Sequence, residues 1–241
     1  MKQTFGARQV SCAQRRDFVR ALFDGVAPRY DLMNDLMSFG LHRYWKAMMA
    51  RRVADALPPQ GGVLVDLAGG TGDVALAVRH RSATARMVVV DASSGMLEVA
   101  RSRAAGTLEL VHASAEDLPL EDASVDVVSL AFGLRNMTDP AAALREVNRV
   151  LKPGGRIVLL EFSKPQAWFA PFYGVFSRFV IPALGAAIAA NRGAYRYLVE
   201  SIRLFPDADS ISRELAEAGF ADIAVRRFMF GVAALHDALK A

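Results

Sequence analysis

Cysteine is nearly missing from this chain: Cys12 stands alone among 241 residues, so no internal disulfide and no thiolate zinc cluster can form. That scarcity suits a reducing compartment, and the expected location is the cytoplasm. Histidine, at four residues, is equally thin; no His, Asp or Glu group falls at metal-ligand spacing, and no metal is expected. An excess of charge of one sign is lacking too. Net charge is +4 and no block of Lys or Arg exceeds a pair, which gives no basis for expecting nucleic acid. The basic first 22 residues have no apolar core of a secretory signal and read as an amphipathic helix, with an Arg-rich transit segment as the alternative. Only one long apolar run exists, residues 167 to 190, where Arg178 is the sole charge. It is long enough to span a bilayer, but Pro171, Pro182 and the central Arg178 argue against a span. The reading is a set of apolar helices covering a pocket, with peripheral contact at a membrane surface as a second role.

Apolar residues make up 53% of the chain and charged residues 22%, the balance of a globular protein. Without repeats or low-complexity linkers, residues 1–241 are expected to form one domain. β-Branched runs fall at 62–68, 85–92, 107–114, 125–132 and 155–162 with helical patterns between them; the helix over 139–152 is expected to stop at Pro153 and the two glycines after it. Strands and helices alternating at this spacing predict an α/β fold, a doubly wound and mostly parallel sheet. A closing strand pair around Gly231 brings the expected strand count to seven. The parts are read as a helical lid (1–60), a core (61–163), an apolar helical insertion (164–206) and a final helix with the strand pair (207–241).

The first strand runs into "VDLAGGTGDVALA", where glycines permit a tight turn and close approach of a ligand to the backbone. Gly70-x-Gly72-x-x-Ala75 fits the dinucleotide pattern, and Asp91 ends the second strand about twenty residues on, where a ribose-binding acid belongs. This much suits NAD and S-adenosylmethionine alike. Asp66, inside the strand and just before the glycines, resembles the first position of the class I methyltransferase pattern D-x-[GA]-x-G-x-G, where the acid organises the loop and the methionine end of the cofactor. It also reads as a buried acid capping loop amides, and the two roles are compatible. In that class the loop after the third strand, here Ser114, Ala115 and Glu116, passes the adenine ring.

Three further stretches carry a closer resemblance: "LFDGVAPRYDLMNDLMSFGLHRYWK" (22–46), "LAFGLRNMTDPAAALREVNRVLKPGGRIVLLEFSKP" (130–165) and "YRYLVESIRLFPD" (195–207). They resemble the ubiquinone/menaquinone biosynthesis C-methyltransferases, the UbiE/MenG/Coq5 family, and the likeness runs over nearly the whole chain. It implies the Rossmann-like class I methyltransferase fold and transfer of a methyl group from S-adenosylmethionine to a ring carbon of a polyprenyl benzoquinol or demethylmenaquinol. Thr71, Asp91, Ser114 and Ala115 match the family's cofactor positions; Asp66, Gly70 and Gly72 complete the expected set. The implied partners are the lipid quinol, the inner face of a membrane, and a second copy or a quinone-synthesis complex. Two departures stand out. Residue 131 is Ala where some members have a cofactor-contacting serine, and in "ANRGAYRYL" Gly193 and Ala194 replace an acid and a serine. A related methyltransferase of secondary metabolism, and a cofactor-binding subunit without turnover, are the competing readings.

In "LAFGLRNMTDP" (130–140) an apolar strand ends in Arg135 and Asn136, and a quinol explains why. A ring carbon attacks a methyl group once a neighbouring hydroxyl loses its proton, so Arg135 and Asn136 are expected to hold ring oxygens, the guanidinium stabilising a developing phenolate. Arginine stays protonated, so the expected proton acceptor is a water held by Arg135, or Tyr30. The competing reading pairs Arg135 with Asp139 or Glu146. Tyr30, Asp31, Asn34 and Asp35 are expected in a lid that excludes water, while His42 either assists with the proton or is packed and hydrogen-bonded. Tyr195 and Tyr197, with Glu200 and Arg203, are expected to form a polar wall, and Phe176 and Phe179 to line a channel for the prenyl tail.

Overall fold

The computed structural model describes residues 2–5, 8–27, 30–176, 178 and 192–241. The chain opens with a two-stranded antiparallel hairpin, β1 (Lys2–Phe5) and β2 (Arg8–Ser11), in place of the helix expected over the first 22 residues. Helix α1 (Cys12–Val26) starts only where Ser11 can cap it. The Ser11 hydroxyl accepts from Gln14 N at 3.2 Å and the Gln14 side chain accepts from Ser11 N at 3.0 Å, a reciprocal box that fixes the boundary. Helix α2 (Tyr30–Ser38) continues the amino-terminal cover, while α3 (Leu41–Ala56), expected in the lid, packs on the sheet instead.

The β-branched runs then become one sheet. Its strands are β3 (Val63–Leu67), β4 (Arg86–Asp91), β5 (Glu109–His112), β6 (Val125–Ala131), β7 (Leu151–Phe162), β8 (Phe220–Phe228) and β9 (Ala233–Lys240), in the order β5-β4-β3-β6-β7-β9-β8. The first five run parallel and β9 is antiparallel to both its neighbours. The expected doubly wound, mostly parallel seven-stranded sheet is therefore present. Buried on both faces, its central strands alternate between two cores. Leu64, Val127 and Val158 face one core with Met49 and Val53 of α3, Val74 and Val78 of α4 (Asp73–Arg79) and Leu97 of α5 (Ser94–Ala104). Val65, Val128 and Ile157 face the other with Leu144 and Val147 of α6 (Pro140–Val150).

Helix α6 ends earlier than Pro153 would make it end. It stops at Val150, because Leu151 takes an extended conformation and pairs with Val125 as the first residue of β7. Pairing to the neighbouring strand thus outcompetes two more residues of helix. The insertion supplies α7 (Ala170–Val175) and α8 (Arg192–Leu204), and α9 (Ala208–Glu217) leads into β8. Residues 177 and 179–191, with Pro182 and Phe179 among them, lie outside the described residues. Among the described residues no helix is long and apolar enough to cross a membrane.

The strand order reverses between β4, β3 and β6, and the crevice beyond their carboxyl ends is where a doubly wound sheet takes a ligand. Backbone strain collects there. Ala68 after β3 and Phe132 after β6 have left-handed φ values of 49° and 55°, unusual for residues with a side chain. The two turns are pressed together at Gly133, where an added Cβ would sit 2.6 Å from the Ala68 Cβ. Gly133→Ala is expected to cost about 1–3 kcal/mol of unfolding free energy, the range for overpacking. Gly25→Ala, whose Cβ meets nothing within 4 Å on α1, should leave stability equal or higher. Urea melts of both variants check this; equal melts would mean that the turns are not in contact.

Candidate active site

A cleft of about 800 Å³ of empty space, counted to its open mouth, lies at this reversal point. Its floor is Ala68 and Gly70 after β3, Asp91 to Ser93 after β4, Ser114 to Glu116 after β5, and Phe132, Gly133 and Asn136 after β6. Val19 and Phe23 of α1 and Tyr30 of α2 form the cover. Of the residues expected from the sequence, Gly70, Asp91, Ser114, Ala115, Tyr30 and Asn136 line this one space.

Asp91 organises the β4 side. One carboxylate oxygen accepts from Gly70 N and the other from Ser93 N, each at 2.8 Å, so the acid ties the glycine loop to the start of α5. Burial pushes its carboxyl above the usual range, against the pull of those two amides. Asp66 and Thr71 lie beneath the loop and not on the cleft surface. Asp66, 1% exposed, accepts from Ser129 Oγ at 2.6 Å and from Ala75 N at 3.2 Å, joining β3 to β6 and to the first turn of α4. Gly70 and Gly72 hold the loop in left-handed conformations, with φ of 56° and 76°.

Thr71 Oγ1 is buried with no partner, as are His42 Nδ1 and Asp31 Oδ1. The three belong to segments that converge on the start of α4, where Lys46 Nζ and Asp73 Oδ2 form a half-buried pair at 2.7 Å. Burial opposes both charges, but the attraction wins: Asp73 is held below and Lys46 above its usual range. His42 is the packed, hydrogen-bonded histidine of the blander reading, with Nε2 2.9 Å from Asp35 Oδ1. Burial depresses its pKa more than Asp35 raises it.

Arg135 is placed away from the cleft. Its guanidinium is sandwiched near the Phe132 and Phe162 rings, 5.9 and 5.2 Å from their centres, and bonds Glu161 Oε1 at 2.7 Å and the Phe132 carbonyl. The ion pair of the competing reading exists, but with Glu161, not Asp139 or Glu146: Asp139 caps α6 and Glu146 pairs with Arg149. Burial raises the Glu161 carboxyl while Arg135 opposes the rise. Asn136, next in sequence, does face the cleft; its amide donates to the Phe132 carbonyl and accepts from Tyr197 Oη, both at 3.2 Å. Tyr197 on α8 is buried, which raises its pKa and keeps the hydroxyl a donor. Tyr195 lies on the same helix. Phe176 packs against Phe39, ring centres 5.4 Å apart, outside the cleft.

Sequence reasoning missed what holds the cover down. Asp24 at the end of α1 accepts from Ser93 Oγ at 2.6 Å and Gly95 N at 3.0 Å, at the amino terminus of α5. At the other end of α1, Arg15 donates to the carbonyls of Arg135 and Met137. Neither is legible locally, because each partner is far along the chain. Glu161 did leave a signal, as an acid near the end of the apolar run "RIVLLEF". Among the described residues no three His, Cys, Asp or Glu side chains lie together as a metal site.

A model of the ubiE/COQ5 methyltransferase family matches residues 9–240. A ubiquinone/menaquinone biosynthesis C-methyltransferase UbiE of Rubrivivax gelatinosus is 48% identical over all of this chain and 94% of its own length. The mitochondrial 2-methoxy-6-polyprenyl-1,4-benzoquinol methylase of Caenorhabditis elegans is 40% identical over 99% of this chain and 85% of its own. In fold, a Thermotoga maritima protein described as an S-adenosylmethionine-dependent methyltransferase superposes with a TM-score of 0.66 at 20% identity, covering 92% of this chain and all of its own.

Burial pushes the Asp66 carboxyl up to about 7, with Ser129 and Ala75 opposing and Asp73 adding to the rise. The folded chain therefore holds a proton that the unfolded chain releases near pH 4. Stability from this group is full below about pH 4 and is lost as pH rises through 7. Asp66→Asn, neutral throughout, should gain on the parent between pH 5 and 8 by at most about 4 kcal/mol. Parallel pH profiles of the two unfolding free energies would contradict this.

Proposed function

The chain belongs to the ubiE/COQ5 methyltransferase family, and on that premise we propose that its cleft holds S-adenosylmethionine against a polyprenyl quinol and methylates a carbon of the quinol ring. One observation carries the reading: the glycine loop with its ribose-side acid and the polar pair Tyr30 and Asn136 open onto a single cleft. The residues present suit the cofactor. Asp91 retains lone pairs for the ribose hydroxyls beyond the two used on Gly70 and Ser93, and Ser114 and Ala115 supply a wall for the adenine. When bound, the cofactor supplies an electrophilic methyl group on a sulfonium.

The protein's own part is to orient the ring and manage one proton. Asn136 spends one amide hydrogen on the Phe132 carbonyl and one lone pair on Tyr197, which leaves one donor and one acceptor for a ring hydroxyl. The free N–H stabilises charge developing on that oxygen, and the Tyr30 hydroxyl, on the same cleft, relays the ring proton, taking it as it gives up its own to solvent at the cleft mouth. Arg135 acts through its neighbour. Its charge is largely offset by Glu161, so its contribution is to fix the 134–136 turn and aim Asn136, a positioning role. Val19 and Phe23 of α1 keep water from the reacting atoms.

The variants separate these parts. Asp91→Ala should weaken cofactor binding by about 1.5–3 kcal/mol in calorimetry, the worth of hydrogen bonds to a charged group. Asn136→Ala should lower kcat by roughly 10²–10³ with cofactor affinity little changed. Arg135→Ala strands a buried carboxylate and should cost about 3–5 kcal/mol of stability. Arg135→Met combined with Glu161→Gln should recover most of that stability while kcat stays low. Recovery of kcat together with stability would make the pair purely structural; an unchanged kcat in Asn136→Ala would remove Asn136 from the chemistry.

A further inference from the structure

One face of the molecule plays no part in the cleft. Trp168, Phe172 and Phe230 are 57%, 68% and 48% exposed, yet they form an ordered array. The Trp168 and Phe230 ring centres are 4.7 Å apart, and Phe169 lies 5.0 Å from Phe230 and 6.4 Å from Phe172. Two distant segments build it. Gln166 N donates to the Phe230 carbonyl at 2.8 Å, and Gly231 packs so closely that a Cβ would lie 2.9 Å from the Lys164 carbonyl. The Trp168 indole N–H is satisfied by Gln166 Oε1 at 2.9 Å, so the ring turns outward without a free polar group. Exposed aromatic surface held this firmly marks an interaction site.

Beside the array runs a groove with Lys164 and Arg203 in its lining and, among the described residues, no Asp or Glu. Lys164 Nζ donates to the Arg203 carbonyl, which leaves it two further hydrogens, and the acid that acts on it, Asp207, lies outside that lining. Ile202, also in the groove, packs with Phe162, and Phe162 lies 4.7 Å from Phe132 on the cleft wall. These side chains, with the Arg135–Glu161 pair set against the two rings, separate groove from cleft.

We propose that this face docks onto an anionic phospholipid surface, the aromatics entering the boundary between headgroups and acyl chains while the cations meet the phosphates. Trp beside Lys and Arg is the composition that suits a membrane interface, where each basic group adds attraction to anionic lipid. A second copy suits the face less, because a two-fold contact through the groove would set its cations against themselves. Docked so, the groove opens toward the bilayer on the near side of the layer that separates it from the cleft. Only this last consequence rests on the lipid-quinol reading; the docking itself does not.

The test is co-sedimentation of the full chain with vesicles of phosphatidylcholine alone, and with about one-third phosphatidylglycerol. Binding should strengthen about tenfold with the anionic lipid and fall about tenfold in Trp168→Ser and in Lys164→Glu. The melting temperature, and turnover of a tail-less soluble quinol, should be unchanged in Trp168→Ser. Equal binding to both vesicles, or binding indifferent to the two substitutions, would overturn the proposal. So would a dimer in sedimentation velocity that Trp168→Ser dissociates, since the occupant would then be a second copy. Because the vesicles contain no quinol, docking can fail while methyl transfer stands, and the reverse.

Discussion

A single buried carboxyl, Asp66, ties together the parts from which the cleft is made. It sits inside β3, in register with Val89 on one side and Ser129 on the other, and its oxygens reach β6 and the first turn of α4. Burying an acid is costly unless it is neutralised or fully bonded, and here both occur in part. With the acid in place, the loop after β3 cannot relax outward. The strained Ala68, the contact at Gly133 and the left-handed glycines are held together, and Asp91 closes the far side by binding the loop amide.

The polar groups around the cleft divide by what they have left to give. Glu161 and Arg135 are spent on one another in a buried pair, and Lys46 and Asp73 in a half-buried one, so they shape the walls and offer little net charge to a ligand. Asn136 and Asp91 are only partly used, and both face the cleft. Chemistry that needs a modest, well-aimed donor and a dry site is served by this division. A strongly charged cleft would instead hold a soluble anion. The cover follows the same economy: Asp24 and Arg15 anchor α1 at its two ends while its apolar face closes the mouth.

Much of this was legible in the sequence because it is local or periodic. The parallel strands announce themselves as β-branched runs, and the glycine loop with Asp91 follows from spacing along a strand, a turn and a helix, while Asp66 was read from its likeness to the class I pattern. Short-range competition was harder to read. The amino-terminal hairpin hid in a basic stretch that suits a helix, although the Ser11 and Gln14 box marked where the helix starts. Leu151 left α6 for a strand because of a partner 26 residues earlier in the chain, Val125. Arg135 shows the remaining limit. Its place near the end of β6 was readable, but the direction of its side chain was decided by Glu161 on the neighbouring strand, and no pattern around residue 135 contains that information.

The claim most in need of a direct answer is that the methyl group goes to ring carbon. Purified protein incubated with S-adenosylmethionine carrying a carbon-13 methyl group and a short-tailed demethylmenaquinol should give a product whose label resonates as an aryl methyl group. The yield should fall in Asn136→Ala. A label that resonates as a methoxy group, or no transfer while calorimetry shows the cofactor bound, would contradict the account.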